Sequence, residues 1–168
     1  MVGFLERTQE TLYNSAAVVF EGELLGIYRK THPNEKCFVS GLEFPVWRAH
    51  GVRFGVNICN DANFPETARA LAQAGVQLIF MLLNNLLPQD LAARWWGKSP
   101  ENSRLRALET GCAEVSADVT GKRGNWMSCG CNQIVNARGE VLRAVPELQE
   151  GCVKVSLDLP RSSTLVSG

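Results

Sequence analysis

One stretch, residues 51–75, constrains the fold more than any other, because it reads as a strand that runs through a turn into a helix. Val52, Phe54, Val56 and Ile58 alternate with smaller or polar residues, the period of a strand with one buried face. The strand stops at Cys59. Asn60, Asp61 and Asn63 favour a tight turn, and Pro65 suits the first position of a helix. Glu66 then puts negative charge in the first helical turn, where the helix dipole favours it. Ala68, Leu71 and Ala72 mark an apolar stripe, and Gly75 is a C-terminal stop. Cys59 is thereby a thiol at a strand end, close to a helix N-terminus. That setting is expected to lower its pKa and present the sulfur to a bound substrate.

The bulk properties exclude several function classes. A chain of 168 residues with 45% apolar side chains is one domain in length and can bury a substantial core. Its 17 basic and 17 acidic residues cancel, which argues against nucleic acid or an anionic membrane as a partner. No apolar run approaches the roughly 20 residues that span a bilayer. No signal peptide is visible after Met1, so the cytoplasm is the expected compartment. Of the six cysteines, Cys112 and Cys152 stand in apolar, strand-like contexts where a free thiol acts as a small hydrophobe. Cys129 and Cys131 lack the spacing of a zinc site, and His32 and His50 do not complete one. No metal and no cofactor is expected.

Along the chain, apolar residues 2–5 suggest a strand remnant, and residues 6–14 are polar with a bend. Residues 15–20 read as a buried strand and 24–28 as its hairpin partner, joined by a turn at 21–23. The hairpin delivers Lys30 at its end, by default a solvated surface charge. Residues 31–41 form a loop, 42–47 a short strand, and 76–83 a strand buried on both faces. Residues 84–98 are a long loop whose Trp95 and Trp96 suggest core packing, with a pocket wall or an oligomer contact as alternatives. Ser99, Pro100 and Glu101 open a helix whose buried face is spaced by Leu105, Leu108 and Cys112. Strands are expected at 113–119, 127–135, 140–145 and 153–159. Residues 1–159 thus make one domain, and 160–168 a disordered tail.

Three segments resemble the nitrilase (carbon–nitrogen hydrolase) superfamily, in family order. Gly55-Val56-Asn57-Ile58-Cys59-Asn60-Asp61-Ala62-Asn63-Phe64-Pro65-Glu66-Thr67-Ala68-Arg69 is similar to its nucleophile segment. Tyr28-Arg29-Lys30-Thr31-His32-Pro33, with Glu35, Lys36 and residues 38–41, resembles its catalytic-lysine segment, and Arg104-Leu105-Arg106-Ala107-Leu108-Glu109 its following helix. The resemblance implies an α/β fold, the α-β-β-α four-layer sandwich. It implies cleavage of a small amide or nitrile through a cysteine thioester-type intermediate. Cys59 would be the nucleophile, Lys30 and the Asn60 N–H the oxyanion donors, and Glu35 a supporting residue. The family also needs a glutamate general base on an earlier strand, and Glu6, Glu10, Glu21 and Glu23 stand in segments that resemble later strands. The domain is therefore expected to be N-terminally incomplete, as a fragment or a split subunit. A homo-oligomer or a complementary N-terminal fragment is the expected partner. A non-catalytic, partner-binding chain and an N-acyltransferase are the alternatives.

Overall fold

The computed structural model describes residues 1–159, so the expected tail at 160–168 lies outside the described residues. The chain opens with a three-stranded antiparallel sheet of β1 (Val2–Thr8), β2 (Thr11–Phe20) and β3 (Glu23–Arg29), in that order. The region 6–14 is therefore two strand ends around a turn. Glu6 can sit in β1 because its carboxylate accepts the Ser15 hydroxyl at 2.7 Å and pairs with Arg29 on β3 at 2.5 Å. The β2–β3 turn has φ of 51° at Glu21 and 87° at Gly22, the two left-handed positions that match the twist of a hairpin.

The rest of the chain builds around a six-stranded sheet in the order β12-β11-β8-β6-β5-β4. Its strands are β4 (Trp47–Ala49), β5 (Val52–Ile58), β6 (Leu78–Leu82), β8 (Ala113–Ala117), β11 (Gln133–Val135) and β12 (Val141–Ala144). The centre is parallel, and the C-terminal ends of β5, β6 and β8 align, with Ile58 opposite Leu82 and Leu82 opposite Ala117. A 3₁₀ helix (Cys59–Asn63) and α1 (Pro65–Gln73) follow β5. β7 (Leu87–Pro88), α2 (Gln89–Trp95) and α3 (Lys98–Thr110) follow β6. β9 (Gly121–Arg123) and β10 (Trp126–Ser128) join β7 in a small sheet.

The six-stranded sheet is covered on both faces. Val18, Tyr28, Trp47, Phe54, Val56 and Leu78 fill the space between it and the β1–β3 sheet. Ala68, Leu71, Val76, Ile79 and Cys112 fill the space under α1. β5 is consequently buried on both faces rather than on one, as Phe54, Gly55, Val56, Asn57 and Ile58 are all buried. Gly55 lets α1 approach, since a Cβ there would sit 2.5 Å from Leu71 Cδ2. Truncating a leucine as deeply buried as Leu71 to alanine costs about 2–5 kcal/mol. Three layers of the expected sandwich, helices on one sheet and that sheet on a second, thus lie among the described residues. The outer face of the β1–β3 sheet exposes Val2, Val19, Leu24 and Ile27.

Several local expectations are corrected. The loop at 84–98 contains α2, and the expected strand at 127–135 divides into β10 and β11. Residues 153–159 form no strand, although Leu157 and Leu159 pack against the inter-sheet core, and Cys152 is exposed. Gly97, at φ 80°, stands before α3 in place of Ser99. The buried face of α3 carries Ser103, Arg106 and Ala107, while Leu105 and Leu108 are 37% and 60% exposed. The helix turns this polar edge inward because β8 presents the buried Glu114 beneath it.

Candidate active site

Cys59 is the first residue past β5, and its φ of 45° lies in the left-handed region that non-glycine residues rarely adopt. Such a conformation costs about 1–3 kcal/mol and persists only where neighbours hold it. Asp61 holds it. Its buried carboxylate accepts the Ile58 N–H at 2.9 Å, the His32 N–H at 2.9 Å and the Tyr28 hydroxyl at 2.8 Å. One side chain therefore ties the end of β5 to the end of β3 and to the loop after it. The His32 ring stacks on Phe64 with centroids 3.7 Å apart, and Asn60 Nδ2 donates to the His32 carbonyl at 2.9 Å, closing the same junction. Burial pushes the Asp61 carboxyl up, against the Ile58 and His32 amides, the Tyr28 hydroxyl and the Lys30 charge. The sequence marks Asp61 only as a turn former; two of its three partners lie 29 and 33 residues away.

Lys30 is 3% exposed. Its N–H donates to the Asn14 carbonyl at 2.8 Å, and its own carbonyl accepts the Gly41 N–H at 2.9 Å, so backbone bonds on both sides set its position. Lys30, Glu35, Cys59 and Asn60 line one cleft of about 960 Å³ at the C-terminal ends of the parallel strands. Clefts at such strand ends are where open α/β sheets hold ligands. Asn60 is in the first turn of the 3₁₀ helix, where backbone N–H groups have no intrahelical acceptor. Glu35 is exposed at the rim, and Arg29 pairs with Glu6 instead of with it. Trp95 also lines the cleft, and both Trp95 and Trp96 are partly exposed, which overturns the reading of them as core.

The thiol does not follow the sequence expectation. Burial pushes Cys59 above the ordinary cysteine range, and Asp118 and Asp61 push the same way. The Lys30 ammonium and the Asn84 N–H pull it down without overcoming that burial. The sulfur lies 3.7 Å from Asn85 Oδ1, a residue that sequence reading connected only with the N-acyltransferase alternative and not with Cys59.

No glutamate of the described residues stands beside that sulfur as a base. Glu6 is bound to Ser15 and Arg29, and Glu10, Glu21 and Glu23 are exposed at the turns of the β1–β3 sheet. Glu114 also lines the cleft, and burial pushes it up to about 8, yet it pairs in register with Ile79, three residues before the aligned strand ends. That places it on the order of 10 Å along the sheet and 10 Å across it from Cys59.

Comparison with known proteins identifies the family of this fold. The carbon–nitrogen hydrolase family matches residues 1–165. This chain belongs to that family. It is 33% identical over 171 residues to a nitrilase of Pyrococcus abyssi, covering 98% of this chain and 62% of that protein. It is 31% identical over 166 residues to a probable nitrilase of Schizosaccharomyces pombe, covering 95% and 58%. Its fold superposes on an amidase from Nesterenkonia with a TM-score of 0.76 at 26% identity, covering 89% of this chain and 57% of that one. In a mutant of that amidase, acrylamide adds to the active-site cysteine. This carbon–nitrogen hydrolase chain thus spans about three-fifths of the length of these curated relatives.

Proposed function

We propose that this chain supplies the nucleophile side of a site that hydrolyses a small amide or nitrile. The observation that carries this reading is Cys59 in a left-handed conformation, in one cleft with the buried Lys30. In the amide case the Cys59 sulfur adds to the carbonyl carbon, and the Lys30 ammonium and the Asn60 N–H stabilise the oxyanion. The C–N bond then breaks, the amine leaves with a proton, and water cleaves the thioester to the acid and the free thiol. Glu35, at the rim, supports the substrate. A glutamate must take the thiol proton, deliver it to the amine and activate the water. With no described glutamate beside Cys59, we assign that base to a complementary N-terminal segment that pairs with the edge strand β1, in the same chain or in another.

Exposed Val2, Leu5, Leu24 and Ile27 around β1–β3 favour such a cover, or a second copy of the chain, over a free monomer. Six free cysteines favour the cytoplasm as the compartment. The test is mass spectrometry of the chain after incubation with a panel of activated esters, amides and nitriles. An acyl adduct on the Cys59 peptide, absent in Cys59→Ala, is the expected result. Amide turnover by these 168 residues is expected to be weaker by about 10²–10⁴ than with a base-bearing N-terminal segment added. Efficient amide hydrolysis without that segment would overturn the assignment of the base. Light scattering on the same sample should give a mass above the monomer.

A further inference from the structure

Beside Cys59, the segments that leave β6 and β8 are joined by one carboxylate. Asp118 Oδ1 accepts the Asn85 N–H at 3.0 Å, and Oδ2 accepts Asn85 Nδ2 at 2.7 Å and the Cys131 N–H at 3.2 Å. The Asp118 N–H in turn donates to Asn132 Oδ1 at 2.7 Å, which anchors the carboxylate to a third segment. Asn85 Nδ2 has a second acceptor, the Ser99 hydroxyl at 3.2 Å, so both of its protons are committed. An ionised carboxylate only accepts hydrogen bonds. The amide nitrogen must therefore face Asp118, and the amide oxygen must face the opposite way. Opposite is Cys59, whose sulfur lies 3.7 Å from that oxygen.

We propose that Asp118 is a positioning residue for the nucleophile, acting through Asn85: it aims the Asn85 carbonyl oxygen at Cys59, so that the thiol proton is held there and the sulfur keeps one orientation until substrate arrives. This rests on the reading of Cys59 as the nucleophile. The chemistry follows from the orientation of one amide. An oxygen facing the sulfur accepts S–H and favours the thiol, while Lys30 and the Asn84 N–H favour the thiolate. Turning the Asn85 amide would replace that acceptor with a donor, and its bonds to Asp118 and Ser99 are what prevent the turn. The resting nucleophile is therefore kept as a thiol by design of its neighbours as well as by burial, and it becomes a thiolate when a base removes the proton.

The experiment is iodoacetamide labelling read at the Cys59 peptide across a pH series, with the exposed Cys37 and Cys152 as internal controls. Asp118→Asn is nearly isosteric but replaces one acceptor oxygen with a donor. Near neutral pH it should speed Cys59 labelling by about tenfold, with the pH profile displaced to lower pH and Cys37 and Cys152 unchanged. In an Asn85→Ala background the same substitution should change the rate by no more than about twofold, since only its through-space charge remains. Equal acceleration in both backgrounds, or none in either, would overturn the proposal. Ser99→Ala runs the same cycle if Asp118→Asn does not fold by circular dichroism. It should speed labelling about threefold, and only when Asn85 is present. Labelling needs no amide or nitrile turnover. A missing acyl adduct with this coupling intact would defeat the hydrolase reading alone, whereas an adduct without the coupling would defeat only the role of Asp118.

Discussion

At the scale of the residue, Lys30 shows how far a side chain can depart from its type. A lysine at the end of a hairpin is ordinarily solvated, but backbone bonds to Asn14 and Gly41 hold this one inside the cleft. Its charge is set against the burial that pushes the Cys59 thiol up. Lys30→Met keeps most of the volume and removes the ammonium, so Cys59 should become still harder to ionise. Iodoacetamide labelling of Cys59 near neutral pH should slow by about three- to tenfold. Exposed Cys37 and Cys152 should label at unchanged rates and ahead of Cys59. A faster Cys59 in Lys30→Met would remove the lysine from the site. Asp61 works at the same scale by a different route, since its three hydrogen bonds join β3, β5 and the turn that carries Cys59.

At the scale of the element, the loop after β3 turns back on the strand so closely that Gly41 has no room for a side chain. A Cβ on Gly41 would collide with the Arg29 carbonyl oxygen, and the same residue donates its N–H to the Lys30 carbonyl at 2.9 Å. Gly41→Ala should therefore push the loop away from β3, at a cost of about 1–3 kcal/mol in denaturant unfolding. It should also lower the rate of acyl-adduct formation at Cys59, because Lys30 moves with the strand end. Unchanged stability and unchanged adduct formation would show that the loop gives way without strain. α1 is built by a similar allowance at Gly55, but there the neighbour is the flexible end of Leu71. The two glycines thus set two close approaches, of the loop to β3 and of α1 to β5.

At the scale of the whole molecule, the buried Glu114 makes stability depend on pH. Burial dominates its surroundings, and Ser103 and Arg106 of α3 are the polar groups that pull the other way. Its folded-state pKa is pushed up to about 8 from an ordinary 4.5, so the folded chain keeps a proton that the unfolded chain releases. Its contribution to stability is full below the ordinary value and is lost as pH rises toward about 8. Denaturant midpoints should accordingly fall across that window. Glu114→Gln should flatten the decline and leave the protein more stable at the alkaline end. A slope that persists unchanged in Glu114→Gln would assign it to other groups.

The sequence by itself determined the local grammar around the site. Alternation in β5, Pro65 at the first position of α1, the β2–β3 turn and the delivery of Lys30 to a strand end all depend on near neighbours, and local sterics and hydrogen bonding decide them. The pairing of Cys59 with Lys30 was legible there too, because the family pattern spans both segments. What depends on distant partners was not legible. The upward pKa shift of Cys59 comes from burial beneath segments far along the chain, and Asn85 and Asp118 meet only because β6 and β8 end side by side. The inward turn of Ser103 and Arg106 on α3, against its own leucines, likewise answers to Glu114 on the strand below. Burial and long-range hydrogen bonds exist only once the sheets are stacked, so only the tertiary structure decides them.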